Sequence, residues 1–340
     1  MAPSIFVDDA ELTQVIGAQW SRFANATSAH NQTTTTCNAG LNGKGFQNTA
    51  RPSLQIYLPS RNAVTFVGTG AENVHLNYSY RLNESDLRQE ILKVDKDLVG
   101  KSGVELWTIP NPDANQLTIR PDLGNFTLDY LLITPDKDQG FANQMLVLDD
   151  KDGAIKYDGN WALQENQRLP RALPMKGTLT KASKQGSKFD LQFTGSSIAV
   201  YGALNSVSGK LSSSYVVDKG TATAVTHFDG SQTVDANQWN SSTMFFKQTL
   251  SPGTHTLTVT LTEVSGDQSY SLDYISFQGI DQTQLNSTEA AKNKGVPIGG
   301  IIGGIIGVLI LLGCCGAIGK KKYYVERRPA VVIRETTIVY

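Results

Sequence analysis

Cysteine is scarce in this chain, whose 340 residues include only Cys37, Cys314 and Cys315. Cys37 has no second cysteine in the long region before Cys314, which excludes an intrachain disulfide framework there. A folded N-terminal region must therefore be held together by a hydrophobic core. Charge of one sign is not in excess either, because 30 Lys and Arg residues face 31 Asp and Glu residues. A near-neutral chain does not gather phosphate backbones, so we expect no nucleic-acid partner.

Catalytic signatures are also lacking. The chain contains no G-x-S-x-G, H-E-x-x-H or phosphate-loop motif, and its four histidines are scattered. Carboxylate pairs are present, but a glycosidase needs two of them across one cleft, which the sequence does not show. We therefore expect no catalytic residues and no enzymatic activity.

Long hydrophobic runs are absent with one exception. Residues 296–319 carry no charged or strongly polar side chain, and three lysines (320–322) follow at once. As a helix, this run is long enough to cross a hydrocarbon core about 30 Å thick, with its basic side in the cytoplasm. We predict a single-pass plasma-membrane protein that spans the lipid bilayer through 296–319. Residues 282–295 then form an outer stalk and 320–340 a cytoplasmic tail.

The N-terminus lacks the features of a secretory signal peptide. It has no basic region, apolar stretch or small-residue cleavage site. Either an upstream signal segment is missing, or the chain is inserted from its C-terminal helix and the large region stays cytosolic. We favour the first interpretation.

Glycosylation sequons lie only before the apolar run, as an extracellular location requires. Seven Asn-x-Ser/Thr triplets begin at Asn25, Asn31, Asn77, Asn83, Asn125, Asn240 and Asn286. Chance is the alternative in a chain rich in Asn, Ser and Thr. We favour N-glycosylation, because such acceptors carry most meaning on a secreted surface.

Small residues mark the apolar run itself. Gly299, Gly303 and Gly307 recur every four residues, which places a bare stripe on one helix side and favours homodimerisation. Simple glycine abundance in membrane helices is the alternative. Cys314 and Cys315, at the cytoplasmic end, are candidates for palmitoylation or for ordinary helix packing.

The region before the stalk is an internal duplication. The segment beginning at Ile5 reads IFVDD and that at Leu146 reads LVLDD, and a Trp lies twelve residues beyond the first Asp in both. The segments FTLDYLLI and YSLDYISF close the two repeats. Landmarks in the same order predict two homologous domains, at 4–139 and 145–281.

Both repeats read as all-β. In residues 255–262, HTLTVTLT, apolar and polar residues alternate strictly, which is typical of a strand with one buried face. Short runs of this kind, separated by Gly, Pro, Asn and Ser, indicate a sandwich or jelly roll. Residues 189–193 and 198–200 read as two strands split by a polar turn. Only residues 86–99 read as helical, as a short insertion.

The second repeat resembles a known family along its length. The pattern consists of Asp149-Asp150, Tyr157-x-Gly159-x-Trp161, Phe193-x-Gly195-x-x-Ile198-x-Val200-x-Gly202, Leu250-x-Pro252-Gly253-x-His255-x-Leu257 and Leu272-Asp273-Tyr274. It is similar to the tandem galactose-binding-like jelly rolls of fungal single-pass membrane proteins. The first repeat is more diverged and lacks the Pro-Gly-x-His turn. The resemblance implies two tandem jelly-roll β-sandwiches followed by one transmembrane helix, but little about function.

The repeated aspartates are candidate metal ligands. Asp273 and Asp129 fall on the apolar face of their strands if alternation is strict, and a carboxylate there must be paired, hydrogen-bonded or metal-bound. Calcium-binding jelly rolls that resemble these repeats imply a shared structural calcium ion. Its ligands would be Asp8, Asp9 and Asp129 in one repeat and Asp149, Asp150 and Asp273 in the other. The alternative, a carboxylate that caps loop N–H groups, is favoured.

Trp239 is the candidate ligand-binding residue. Trp20 and Trp161 hold equivalent positions in the repeats, which indicates shared core packing, whereas Trp239 lies in a polar stretch without an equivalent. Three functions compete: glycan binding at the cell surface, a protein-binding adhesion or sensor scaffold, and glycoside processing. Tandem modules on a tether favour glycan binding, with the enzyme least favoured.

Overall fold

The chain is all-β wherever the structure describes it. The computed structural model describes residues 3–8, 15–16, 20–24, 33–39, 53–58, 60, 62–79, 88–110, 112, 116–136 and 140–281. These residues belong to one compact unit that ends at Asp281. Within them lie nineteen strands, two single turns of 3-10 helix and no α-helix.

The strands divide between the two sequence repeats. The first repeat contains β1 (Ser4–Asp8), β2 (Val15–Ile16), β3 (Trp20–Ala24), β4 (Thr33–Ala39), β5 (Ser53–Tyr57), β6 (Val64–Thr69), β7 (Val74–Ser79), β8 (Arg88–Leu92), β9 (Val104–Ile109) and β10 (Gln116–Ile133). The second contains β11 (Met145–Asp149), β12 (Lys156–Asp158), β13 (Trp161–Gln164), β14 (Leu179–Ala182), β15 (Lys188–Ser206), β16 (Leu211–Val217), β17 (Thr223–Phe228), β18 (Asp235–Val264) and β19 (Tyr270–Gln278). The 3-10 turns are Lys96–Leu98 and Met175–Gly177.

Both repeats use one antiparallel pairing scheme. In the second repeat, β15 pairs with β18 along most of its length, and its other edge meets β12 and then β19. In the first repeat, β5 and β6 replace β15, while β9 and the start of β10 replace β18. The pair β7–β8 lies beside β10 as the pair β16–β17 lies beside β18. Long strands that pass between two layers are typical of a β-sandwich.

The alternating apolar residues of residues 255–262 lie in the core, as the sequence predicts. Leu257, Val259 and Leu261 are fully buried in β18, while the threonines between them face outwards or are half-buried. Residues 189–193 and 198–200, however, belong to the single strand β15, which has an irregular register between Gly195 and Ser197. The expected polar turn is therefore an irregularity inside one strand.

A β-bulge explains the repeated Leu-Asp-Tyr motif. Between β6 and β10 the register shifts so that Asp129 is the extra residue, and between β15 and β19 the extra residue is Asp273. The strands opposite carry Gly68 and Gly202. A Cβ at Gly202 would lie 2.2 Å from the carbonyl oxygen of Ser271, so only glycine allows this close approach.

The two repeats meet through a local two-fold arrangement. Strand β1 pairs with β10 of its own repeat and also with β11 of the other. In the second pairing Ile5 lies opposite Leu146, which is its own equivalent in the duplication. A second apolar cluster covers this junction and contains Phe6, Val67, Tyr130, Leu132, Val147, Met175, Ala199, Tyr201 and Tyr274. The two repeats therefore share one continuous sheet.

The connection between β8 and β9 adds a second contact between the repeats. The backbone of Ser102 exchanges hydrogen bonds with Arg171 and Leu173, and Arg168 forms an ion pair with Asp97. The prediction of a helix over residues 86–99 is wrong. Pairing with β7 makes Arg88–Leu92 a strand, and tertiary pairing here overrides the local helical preference.

Candidate functional site

An open groove borders two strand edges in the second repeat. Its volume is about 450 Å³. The lining residues are Thr221, Thr223, Val225, Met244, Phe245, Phe246, Lys247 and Gln248. Among the described strands, β17 pairs only with β16, and this part of β18 pairs only with β15. The groove therefore lies where the sandwich is open, and its volume falls within the range of about 300–1,000 Å³ that ligand sites have.

The groove combines polar and apolar groups. Thr223 and Gln248 are exposed and offer a hydroxyl and an amide, each able to donate and accept a hydrogen bond. Lys247 supplies one positive charge. Met244, 52% exposed, adds apolar surface to a lining that also includes the buried Phe245. Such a lining can contact both the hydroxyl groups and the C–H faces of a sugar.

A buried hydrogen-bond network lies behind the groove wall. Ser213 Oγ is 2.7 Å from Nε2 of His227, and Tyr215 OH is 3.4 Å from the same nitrogen. Tyr215 OH is in turn 3.0 Å from Tyr270 OH. Burial lowers the pKa of His227 to about 4, so the ring is neutral near pH 7. A neutral ring with its proton on Nδ1 accepts the hydrogen bond that Ser213 donates.

This serine and histidine do not make an accessible nucleophile. Ser213 is fully buried in β16, so a substrate does not reach its hydroxyl in this structure. The same network instead contacts the groove wall. Phe245 lies 4.6 Å from the His227 ring, and Phe246 stacks on Tyr215 with the ring centroids 4.5 Å apart.

Trp239, the ligand-binding residue predicted from sequence, does not line this groove. It is half-buried and packs against a small cluster of Leu169, Leu179 and Ala203. Lys181 Nζ lies 5.1 Å from the centroid of the indole ring, a cation–π distance. The indole is therefore engaged within the protein and is not a free platform for a sugar.

The predicted calcium ligands of the second repeat are buried, but two of them have protein partners. Asp150 accepts hydrogen bonds from the hydroxyls of Thr178 and Thr180, and Asp273 accepts one from the Met175 backbone N–H. No group of three or more His, Cys, Asp or Glu side chains is arranged to hold a metal ion in the part of the chain that the structure describes. The shared calcium ion stays a prediction. The alternative, a carboxylate that accepts from a loop N–H group, describes Asp273, whereas Asp150 accepts from two threonine hydroxyls.

Asp149 is different, because both of its carboxylate oxygens are buried without a hydrogen-bond partner. Burial, together with the neighbouring Asp150, raises the pKa of Asp149 to about 7. In the first repeat Asp8 and Asp129 are buried as well, while Asp9 lies outside the described residues.

Comparisons with known proteins leave the family of this chain open. No protein-family model matches the chain, and no curated protein matches it either. Solved structures with some likeness include a two-domain esterase active on acetylated mannans (TM-score 0.31, 14% identity, 43% of this chain and 39% of that chain). Another is a family two carbohydrate esterase from Cellvibrio japonicus (TM-score 0.27, 12% identity, 40% of this chain and 34% of that chain).

A third likeness is the N-terminal tandem CBM22 domain of Paenibacillus barcinonensis Xyn10C (TM-score 0.24, 10% identity, 77% of this chain and 92% of that chain). The match to each esterase spans less than two fifths of the esterase's own length. At these TM-scores the likenesses carry no argument about the activity of this chain.

The structure separates the predicted glycosylation sites by exposure. Asn125 and Asn240 are exposed, whereas only 5% of Asn77 is exposed. Asn77 lies in β7 between β8 and β10, so a glycan there does not fit the folded chain. The remaining sequons, Asn25, Asn31, Asn83 and Asn286, lie outside the described residues.

The predictions for the membrane segment also lie outside the described residues. They concern the helix at 296–319, the stripe of Gly299, Gly303 and Gly307, and the cysteines Cys314 and Cys315. The described part of the chain includes no helix with the length and apolar character needed to cross a membrane.

Proposed function

We propose that this chain is a cell-surface protein, tethered by a single membrane span, whose β-sandwich region binds glycans through the groove between β17 and β18. The groove is the observation that supports this function best. Its exposed hydroxyl and amide groups lie next to apolar surface, which is the combination that a pyranose ring requires. In finer detail, we propose that each repeat is a galactose-binding-like jelly roll.

The charge of the groove favours a neutral or acidic glycan. Among the described residues that line it, Lys247 is the one with a charge, and none is a carboxylate. The edge strands also leave backbone N–H and C=O groups without a neighbouring strand, and these can pair with sugar hydroxyls. Binding is favoured over glycoside processing because the lining residues that the structure describes include no carboxylate pair.

The binding proposal predicts a loss of affinity when groove side chains are shortened. Gln248→Ala in the detergent-solubilised full chain should weaken binding to its best glycan on an oligosaccharide array about tenfold, because one amide that bonds the sugar is lost. Thr223→Val, which keeps the side-chain shape, should act in the same direction.

The matched control is Trp239→Ala, outside the groove, which should leave affinity within about twofold. Loss of binding in the Trp239 variant with none in the Gln248 variant would place the site elsewhere. Failure of the wild-type chain to bind any glycan would favour the protein-binding scaffold instead.

The topology proposal places the repeats outside the plasma membrane, the helix at 296–319 in the bilayer and the tail at 320–340 in the cytoplasm. The one-sided sequons and the lysines after residue 319 support it. Self-association of the helix through Gly299, Gly303 and Gly307 belongs to the same proposal.

Glycan mapping tests this topology. Enzymatic removal of N-glycans should lower the mass of the chain isolated from cells, and Asn125→Gln and Asn240→Gln should each remove one glycan. Asn77→Gln should remove none, because Asn77 is buried. An unchanged mass, with the N-terminal region protected from external protease, would instead indicate a cytosolic location.

A further inference from the structure

The two phenylalanines of the groove rest on the buried network behind them. Phe245 contacts the ring of His227 at 4.6 Å and that of Tyr270 at 4.8 Å. Phe246 lies flat on Tyr215, with an interplanar angle of 2°. Three members of the hydrogen-bonded network therefore support both aromatic side chains of the groove.

This support comes from strands in different parts of the sandwich. Tyr215 lies on β16, His227 on β17 and Tyr270 on β19, while the phenylalanines lie on β18. The hydrogen bonds of His227 to Ser213 and Tyr215 link β17 to its neighbour β16 through side chains as well as through the backbone. Among the described strands β17 pairs only with β16, so these bonds hold its open edge to β16, and the His227 ring meets Phe245 of β18 across the groove wall.

We infer that His227 is a positioning residue for the groove, which holds β17 and the Phe245–Phe246 wall in place while its ring is neutral and releases them when the ring gains a proton. This inference rests on the proposed function in so far as the groove is the ligand site. His227 itself does not line the groove and acts through Phe245.

The chemistry of the network explains why a proton disrupts it. Protonated Nε2 no longer accepts a hydrogen bond from Ser213, and the described side chains that contact the ring are uncharged. The titratable groups that face it are Tyr215 from β16 and Tyr270 from β19. Burial raises the pKa of both, so they stay neutral and do not compensate the charge. From β18, among the described side chains, it meets the uncharged Phe245 ring.

The direction of the pH effect follows from the lowered pKa of His227. The ring stays neutral from pH 7 down to about pH 5 and becomes charged as the pH falls through about 4. At pH 3, roughly one tenth of the molecules keep the neutral ring. If only these have an ordered groove, apparent glycan affinity at pH 3 should be about one tenth of that at pH 6.

The test uses a reporter that needs no ligand. In the full chain with ¹³C-labelled methionine methyl groups, the Met244 methyl signal should shift with pH along a one-proton curve whose midpoint matches the His227 ring signals. Met175, buried in the separate cluster at the junction of the repeats, is the control and should not follow that curve. His227→Gln, which keeps a hydrogen-bonding group without this titration, should flatten the Met244 curve.

Three outcomes would overturn the inference. Met244 and Met175 shifting together would indicate general acid unfolding. His227 does not control the Phe245–Phe246 wall if the Met244 signal still titrates in the His227→Gln variant. The same conclusion follows if, in the wild-type chain, the Met244 midpoint differs from the midpoint of His227. The midpoint comparison needs no variant, so it decides even if His227→Gln does not fold. A further result would separate the two proposals. If the Met244 signal titrates with His227 but the chain binds no glycan, the inference about His227 stands and only the proposed ligand is wrong.

Discussion

Asp149→Asn should stabilise the folded chain at neutral pH by about 4 kcal/mol and have little effect near pH 4. Asp149 is 6% exposed, and neither carboxylate oxygen has a partner. Burial raises its pKa from the ordinary value of 3.8 to about 7, so between these pH values the folded state holds a proton that the unfolded state has released. The folded chain therefore loses stability as the pH rises from about 4 to about 7, and a neutral amide removes that loss.

Urea unfolding followed by tryptophan fluorescence at several pH values measures this effect. The adjacent Asp150→Ala is the comparison variant, and it should destabilise by about 1–3 kcal/mol because it leaves the buried hydroxyls of Thr178 and Thr180 without their acceptor. A structural calcium ion would reverse the first result. In that case Asp149→Asn would lower stability, and added calcium chloride would raise the unfolding midpoint of the wild-type chain.

Gly202→Ala should destabilise the fold by about 3 kcal/mol. The new methyl group would lie 2.2 Å from the Ser271 carbonyl oxygen and 2.3 Å from the Phe245 ring. The first contact is with backbone at a bulge, which side-chain rotation does not relieve. Gly68→Ala in the first repeat should act similarly, because its Cβ would meet the Thr127 carbonyl oxygen.

Thermal unfolding of the purified variants measures this cost. Gly153→Ala is the control, because a Cβ there meets nothing within 4 Å, and it should leave the midpoint almost unchanged. Equal midpoints for Gly202→Ala and Gly153→Ala would contradict the close approach at the bulge. Since Phe245 also lines the groove, Gly202→Ala should further reduce glycan binding at temperatures where the chain stays folded.

The sequence predicts the strands best where one face alone is buried. The alternation of residues 255–262 leaves a single choice of inward face, and β18 follows it. Trp161 shows the core packing that its repeated position indicates, because it contacts Tyr157, Phe189 and Tyr270. The first prediction needs only the pattern within one strand, and the second needs only the comparison of the two repeats.

Features that depend on partners elsewhere in the chain are less visible in the sequence. Strict alternation correctly predicts that Asp129 and Asp273 are buried. It does not predict that each of them is the extra residue of a β-bulge. Nor does it predict that Tyr274 packs in the apolar cluster at the junction of the repeats. The bulge depends on a glycine in a distant strand, which alternation does not detect.

The sequence does not reveal the groove, because its residues come together only through pairing between distant strands. Its walls come from residues 221–225 and 244–248, and they become one site only through the pairings of β17 with β16 and of β18 with β15. The apolar run of Met244, Phe245 and Phe246, with polar residues on both sides, is the available sequence signal. The sequence pattern instead predicts Trp239 as the ligand-binding residue, because that Trp lies in a polar stretch of its own. In the structure, Lys181 Nζ lies over the Trp239 ring.

The antiparallel pairing of β1 with β11 places Ile5 against its own duplicate, Leu146, which is the geometry of a symmetric dimer built from two identical subunits. Separate subunits joined by such short strands would come apart on dilution. Here the partner is part of the same polypeptide, so the pairing is independent of protein concentration. The duplication thus gives a single chain, at any concentration, an assembly that two free copies would reach only at high concentration.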